Sequence, residues 1–323
     1  MMMSENPQSA VANFPMGPNV RGWLNVSPEA YKGNENTSPS AEAVANFTDV
    51  VLEQLENSSP QNKGHLVDLL EELVGMNMPL LAIKLADAYP LMFPKNDFRA
   101  QLNLGNAAMM ISDFARAEDA FVVAQQLVPE EPAPYINLAQ IYSHDGFADK
   151  AREWCLAGLD TDQDNTRLWE LLAYMEQQSC GDPTEGAKRL ATIANERNSW
   201  AGLSLSCDLI NPEDVLTKLK ALEPFWNEGY RGLEYLIEFT AVLGMAGRYD
   251  RIPSIIWTVE KEATNGLPWQ LTLHLAQAYL GLGRDDDAVL ALDKLKNVQD
   301  LPNVAKEAAQ VILSEAKGQA TVH

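Results

Sequence analysis

The feature that most constrains this chain is a period of 34 or 35 residues that keeps its register over several units. A leucine followed by a small or apolar residue stands at Leu69-Leu70, Leu104-Gly105, Leu138-Ala139 and Leu172-Ala173, spaced by 35, 34 and 34 residues. Thirteen residues on come Ala82, Ala117 and Ala151, and one helical turn later Ala86, Phe121 and Cys155. A unit of that length holds two helices and a turn, with too little apolar surface to stand alone. Successive pairs must therefore stack, with small residues where two helices cross closely. Pro94 and Pro129 stand where a helix has to stop and the chain reverse.

From Ser40 onward Leu, Ala and Glu recur at i, i+3, i+4 and i+7, and β-branched runs are scarce, so no sheet is expected. A first amphipathic helix spans Ala43 to Leu55, and Ser59-Pro60 and Gly64 separate it from the next. The chain has 323 residues, 46% of them hydrophobic, ample for a core. No run approaches the ~18 consecutive apolar residues of a membrane helix. The opening MMMSENPQSAV has neither the basic nor the apolar region of a secretory leader, and a cytoplasmic location is expected. Cys155, Cys180 and Cys207 are odd in number and lack metal-ligand spacing. With 24 Lys+Arg against 45 Asp+Glu the net charge is −21, which disfavours nucleic acid and anionic lipid as main partners.

Residues 1–40 differ in composition from the rest. Five prolines, three glycines and many Asn and Ser leave no apolar period of 2 or 3.6, so an extended tail without regular structure is expected. It still carries Phe14, Trp23, Leu24 and Tyr31, costly to leave in water. The expectation is a tail docked in the protein's own groove, with Phe14, Trp23, Leu24 and Tyr31 as anchors and Arg21 meeting acidic side chains. An outer N-terminal cap is the rival arrangement.

The run Asn103-Leu104-Gly105-Asn106-Ala107, followed by Ala117, Phe121, Ala124 and Pro129, resembles a tetratricopeptide repeat (TPR). The next unit has Tyr135, Leu138, Ala139, Tyr142, Gly146 and Ala151, and a third opens with Trp169, Leu172 and Ala173. Gly247-Arg248-Tyr249 and Leu275-Ala276, with Tyr279, Gly283, Ala288 and Leu292, resemble two more. The clearest repeats are 98–131, 132–165, 166–197, 233–266 and 269–302. Residues 198–230 are degenerate, with a helix that starts near Asn211-Pro212 and runs into Pro224, and 303–323 form a closing helix and C-terminus. The resemblance implies an all-α solenoid over 41–302, a right-handed superhelix of about seven hairpins.

It also implies a concave side lined by the first helix of each hairpin. The 34-residue offset places Arg99 and Arg167, Asn103 and Asn137, Asn106, Gln140 and Tyr174, and Met110, His144 and Gln178 on that lining. An amide side chain both donates and accepts, so such a row can pair with an extended peptide backbone. Asn103 and Asn106 are also common residues of the repeat, where they solvate and cap helices. The family's carboxylate-clamping subclass is disfavoured, because the matching places hold Leu102, Ile136, Glu170 and Leu171. Residues 96–165 hold 12 acidic and 4 basic residues, −8 in net charge, which favours a basic or amide-rich protein segment as partner.

No phosphate loop, zinc-protease helix or nucleophile elbow is present, so no catalytic residue, metal or cofactor is assigned. His65, His144 and His274 read as surface or packed residues. Asp160-Thr161-Asp162-Gln163-Asp164-Asn165 begins like a calcium loop, but Leu171 stands where a bidentate glutamate is needed, and an acidic turn capping the next helix is expected instead. The chain is expected to be a non-catalytic adaptor that grips an extended peptide. The alternatives are a secretion or folding chaperone using the same groove, and a helical-toroid enzyme with a carboxylate pair, whose doubled period the 34-residue count opposes.

Overall fold

The computed structural model describes residues 14–26, 39–57, 63–93, 95–261, 267–298 and 300–320. Among these, the regular elements are seventeen α-helices and two short 3-10 turns. The chain divides into two compact units, Met1–Asp162 and Gln163–His323.

In the first unit α1 (Pro18–Trp23) packs on α3 (Lys63–Gly75) and α2 (Ala41–Asn57) on α4 (Pro79–Ala88), while α3 pairs with α4, α5 (Phe98–Met110) with α6 (Phe114–Leu127), and α7 (Pro132–His144) with α8 (Ala148–Thr161). Local chemistry starts them. Asp97 accepts from the Ala100 N–H at 3.1 Å and Asp113 from the Arg116 N–H at 3.3 Å, capping α5 and α6. Ala82, Ala117, Ala151, Phe121 and Cys155 are fully buried, so the periodic positions form the core. Gly105 shows why one of them is small: a Cβ there would stand 2.5 Å from the Phe121 ring.

The N-terminal segment departs from the expectation of a structureless tail. Phe14, Met16, Val20, Leu24 and Val26 are buried, and the Phe14 ring stacks on Phe47 of α2 with centroids 4.1 Å apart. Proline is the reason for the difference. Pro18 occupies the first turn of α1, where its missing N–H costs nothing. The next two N–H groups, of Asn19 and Val20, donate to the Glu72 carboxylate of α3 at 2.9 and 3.2 Å. Gln54 of α2 donates to the Trp23 carbonyl oxygen at 3.1 Å. Helix α1 packs on α3 as α3 packs on α5, so this segment is the first layer of the stack.

The second unit pairs α9 (Thr166–Cys180) with α10 (Pro183–Arg197), α11 (Trp200–Leu209) with α12 (Val215–Asn227), α13 (Leu233–Met245) with α14 (Ile252–Glu260), and α15 (Trp269–Gly281) with α16 (Asp285–Asp293). Helix α17 (Asn303–Ala320) packs on α15 and α16 and buries Ala305, Ile312 and Ala316. Asn165, Asp182, Ser199 and Asp214 cap α9 to α12 in turn. Pro224 lies inside α12, which continues three residues past it to Asn227.

The period also appears in backbone conformation. Asn77, Ser112, Gly146 and Gly181 all have positive φ, at the turns that follow α3, α5, α7 and α9. Only a left-handed residue closes those turns, and Gly146 and Gly181 adopt it without the Cβ penalty that Asn77 and Ser112 bear.

Candidate protein-binding faces

In the first unit, α3, α5 and α7 present side chains that the core does not use. Arg99 pairs with Asp68 at 2.9 Å and with Glu71, so α3 supplies counter-charges to the basic residue of α5. Its side chain stays 56% exposed, and such a pair adds at most about 1 kcal/mol. Asn103 turns its amide back to the Arg99 carbonyl oxygen at 3.0 Å, one turn earlier. Asn137 of α7 donates to the Asn106 side-chain oxygen of α5 at 3.1 Å, which brings these two sites together. Gln140 is half-buried and Met110 is 44% exposed. His144 bonds Asp145 at 3.1 Å, with its ring 4.5 Å from that of Phe114.

In the second unit, Arg167, Tyr174 and Gln178 all lie on α9. Arg167 bonds Glu170 at 3.0 Å within its own helix, while Tyr174 is 55% exposed and Gln178 is exposed. Tail residues Phe14 and Leu24 are buried and Arg21 and Trp23 half-buried; Phe14 stacks on Phe47 and the Trp23 carbonyl oxygen accepts from Gln54, both of α2, rather than lying along the amide row. The self-occupied groove is therefore corrected for these residues. Tyr31 lies outside the described residues.

The second unit also holds functional candidates that the sequence reading missed. One cavity of about 430 Å³ is lined by Asp164, Trp200, Ser204, Asp208, Tyr230 and Glu234, among others. A second, of about 540 Å³, is lined by Thr240, Tyr249, His274, Gln277 and Glu315, among others. Two contacts repeat the period itself: Trp200 Nε1 donates to Glu234 at 3.2 Å, and Thr240 meets His274 Nδ1 at 2.8 Å, each pair 34 residues apart. Carrying the offset past residue 178 would have found both. The Thr240 hydroxyl donates to the Leu236 carbonyl oxygen at 2.7 Å, so it accepts from His274 Nδ1–H. Burial lowers the His274 pKa from 6.5, which keeps the ring neutral.

Among the described residues, no helix is long and apolar enough to cross a membrane. No curated protein matches the chain. The family model described as "Tetratricopeptide repeat" matches residues 108–173. Among solved structures, MamA is 17% identical, with a TM-score of 0.37 over 60% of this chain and 100% of that one. A tetratricopeptide repeat protein from Parabacteroides merdae ATCC 43184 is 14% identical, with a TM-score of 0.38 over 80% and 100%. The TPR domain of P58(IPK) is 14% identical, with a TM-score of 0.32 over 97% and 78%. Residues 108–173, from the end of α5 into α9, match the tetratricopeptide repeat, and paired helices stack in both units; such a repeat implies a protein–protein interaction scaffold.

Proposed function

We propose that the protein is a non-catalytic adaptor that binds an extended, basic or amide-rich polypeptide segment along the first-helix faces of its hairpins. The carrying observation is the Asn106–Asn137 pair: two amides on successive first helices, joined at 3.1 Å and half-buried. Each amide retains further donor or acceptor capacity for a peptide backbone. Tyr174 adds a large amphipathic surface with little side-chain entropy to lose, the kind of residue that anchors interfaces. The net charge of −21 favours a basic partner and speeds its encounter. A cytoplasmic setting belongs to the same reading, in keeping with free thiols at Cys155, Cys180 and Cys207. Affinity capture with the wild type and with an Asn106→Ala/Tyr174→Ala variant tests it. Proteins recovered only by the wild type are the expected result, and identical sets from both would refute it.

A further inference from the structure

We propose that the cavity formed by Asp164, α11 and the start of α13 is a receptor for the guanidinium group of an arginine side chain on the bound polypeptide. The inference rests on the polypeptide-binding reading and names one side chain that the partner must offer. Three carboxylates, of Asp164, Asp208 and Glu234, line the cavity together with the aromatic rings of Trp200 and Tyr230. Among the described residues lining it there is no Lys, Arg or His. A concave surface with acidic walls and aromatic faces selects a cation that is flat and weakly hydrated, which describes guanidinium better than ammonium.

The walls are held in place by neutral donors. Trp200 Nε1–H donates to Glu234 at 3.2 Å, and the Ser199 hydroxyl donates to Asp164 at 2.8 Å. These bonds orient the two carboxylates without cancelling their charge, and a carboxylate keeps acceptor sites for a forked N–H pair. The Trp200 ring is fixed edge-on against Tyr235, with centroids 5.6 Å apart. Tyr230 is fixed by Phe225 and Tyr235, at 5.1 and 5.5 Å. Its hydroxyl pKa is raised by burial and then by the charges of Asp164 and Glu234. Arg231, next in sequence, is engaged elsewhere: it lies over the Trp226 ring at 3.7 Å and donates to the Trp226 and Tyr230 carbonyl oxygens at 3.0 and 2.7 Å. A metal ion is a poorer fit, because among the described residues no three acidic, His or Cys groups converge to hold one.

The test is a titration of the full-length protein, labelled with 15N at tryptophan, with N-acetyl-arginine methylamide at pH 7. The Trp200 indole signal is assigned from its loss in Trp200→Phe. The expected result is a saturable shift of that signal at millimolar ligand. It weakens about tenfold in Asp208→Asn/Glu234→Gln, and the citrulline analogue, which keeps the shape without the charge, gives none. Asp208 and Glu234 are exposed, so the double variant keeps its fold, checked by an unchanged thermal midpoint. No saturable shift, an equal response to citrulline, or an undiminished response in the double variant would overturn the proposal. If arginine fails to bind while partner capture still depends on Asn106 and Tyr174, this inference alone falls. If arginine binds while capture ignores those two residues, the cavity is supported and the functional reading falls.

Discussion

Asn137 and Asn106 stand 31 residues apart and share a hydrogen bond of 3.1 Å between two successive first helices. Neither side chain is fully exposed, so their pairing is expected to contribute to stability. A double-mutant cycle with Asn106→Ala and Asn137→Ala should give a coupling of about 0.5–1 kcal/mol in urea denaturation. Additive single effects would show that the two amides act independently.

Gly105 is required by the Phe121 ring. A methyl group there would meet ring carbons at 2.5 to 2.8 Å, in the middle of the α5–α6 hairpin. Gly105→Ala is therefore expected to cost about 1–3 kcal/mol, although alanine is intrinsically the better helix former by about 1 kcal/mol. Adding Phe121→Leu should recover part of the loss. A stabilised Gly105→Ala protein would mean that the ring moves aside freely.

The N-terminal layer makes a different prediction from a removable tail. Phe14→Ala deletes a buried ring stacked on Phe47 and should cost about 3–5 kcal/mol. Glu72→Ala leaves the Asn19 and Val20 N–H groups without their acceptor and should cost about 1–3 kcal/mol. Thermal denaturation of both variants, and of a chain starting at Ser40, checks this, with all three midpoints expected to fall. An unchanged midpoint on truncation would mean that the layer is not part of the folded unit.

His274 gives the second unit a pH dependence with a defined sign. Burial lowers its folded pKa below the ordinary 6.5, with Thr240 holding Nδ1–H. The unfolded chain then takes up a proton before the folded one does. Its contribution is complete above pH 6.5 and is lost as pH falls through the folded value. Denaturation midpoints between pH 5 and 8 should fall on the acid side, and His274→Gln should flatten that slope. An unchanged slope would place the titration elsewhere.

Most of the helical architecture was legible because its causes are local. Asp97, Asp113, Asn165 and Asp214 cap the helices they precede, and the periodic Ala82, Ala117 and Ala151 are fully buried. The N-terminal layer was not legible, since the acceptor that completes α1 is Glu72, over fifty residues away. The amide row was readable as positions but not as pairings: the period places Asn103 and Asn106 alike, yet Asn103 bonds its own helix while Asn106 reaches Asn137. The arginine cavity was hidden because Tyr230 comes from the loop before α13 and Asp164 from the turn before α9, outside the helical positions that the offset compares.

Photocrosslinking tests the central claim most directly. A photoreactive amino acid is placed at Tyr174, on the first-helix face of the α9–α10 hairpin, and in a second protein at Glu196, exposed on α10. If the first helices hold the partner, irradiation in cells gives a polypeptide adduct from position 174 and none from position 196. Adducts from position 196 alone, or from both with equal yield, would contradict it.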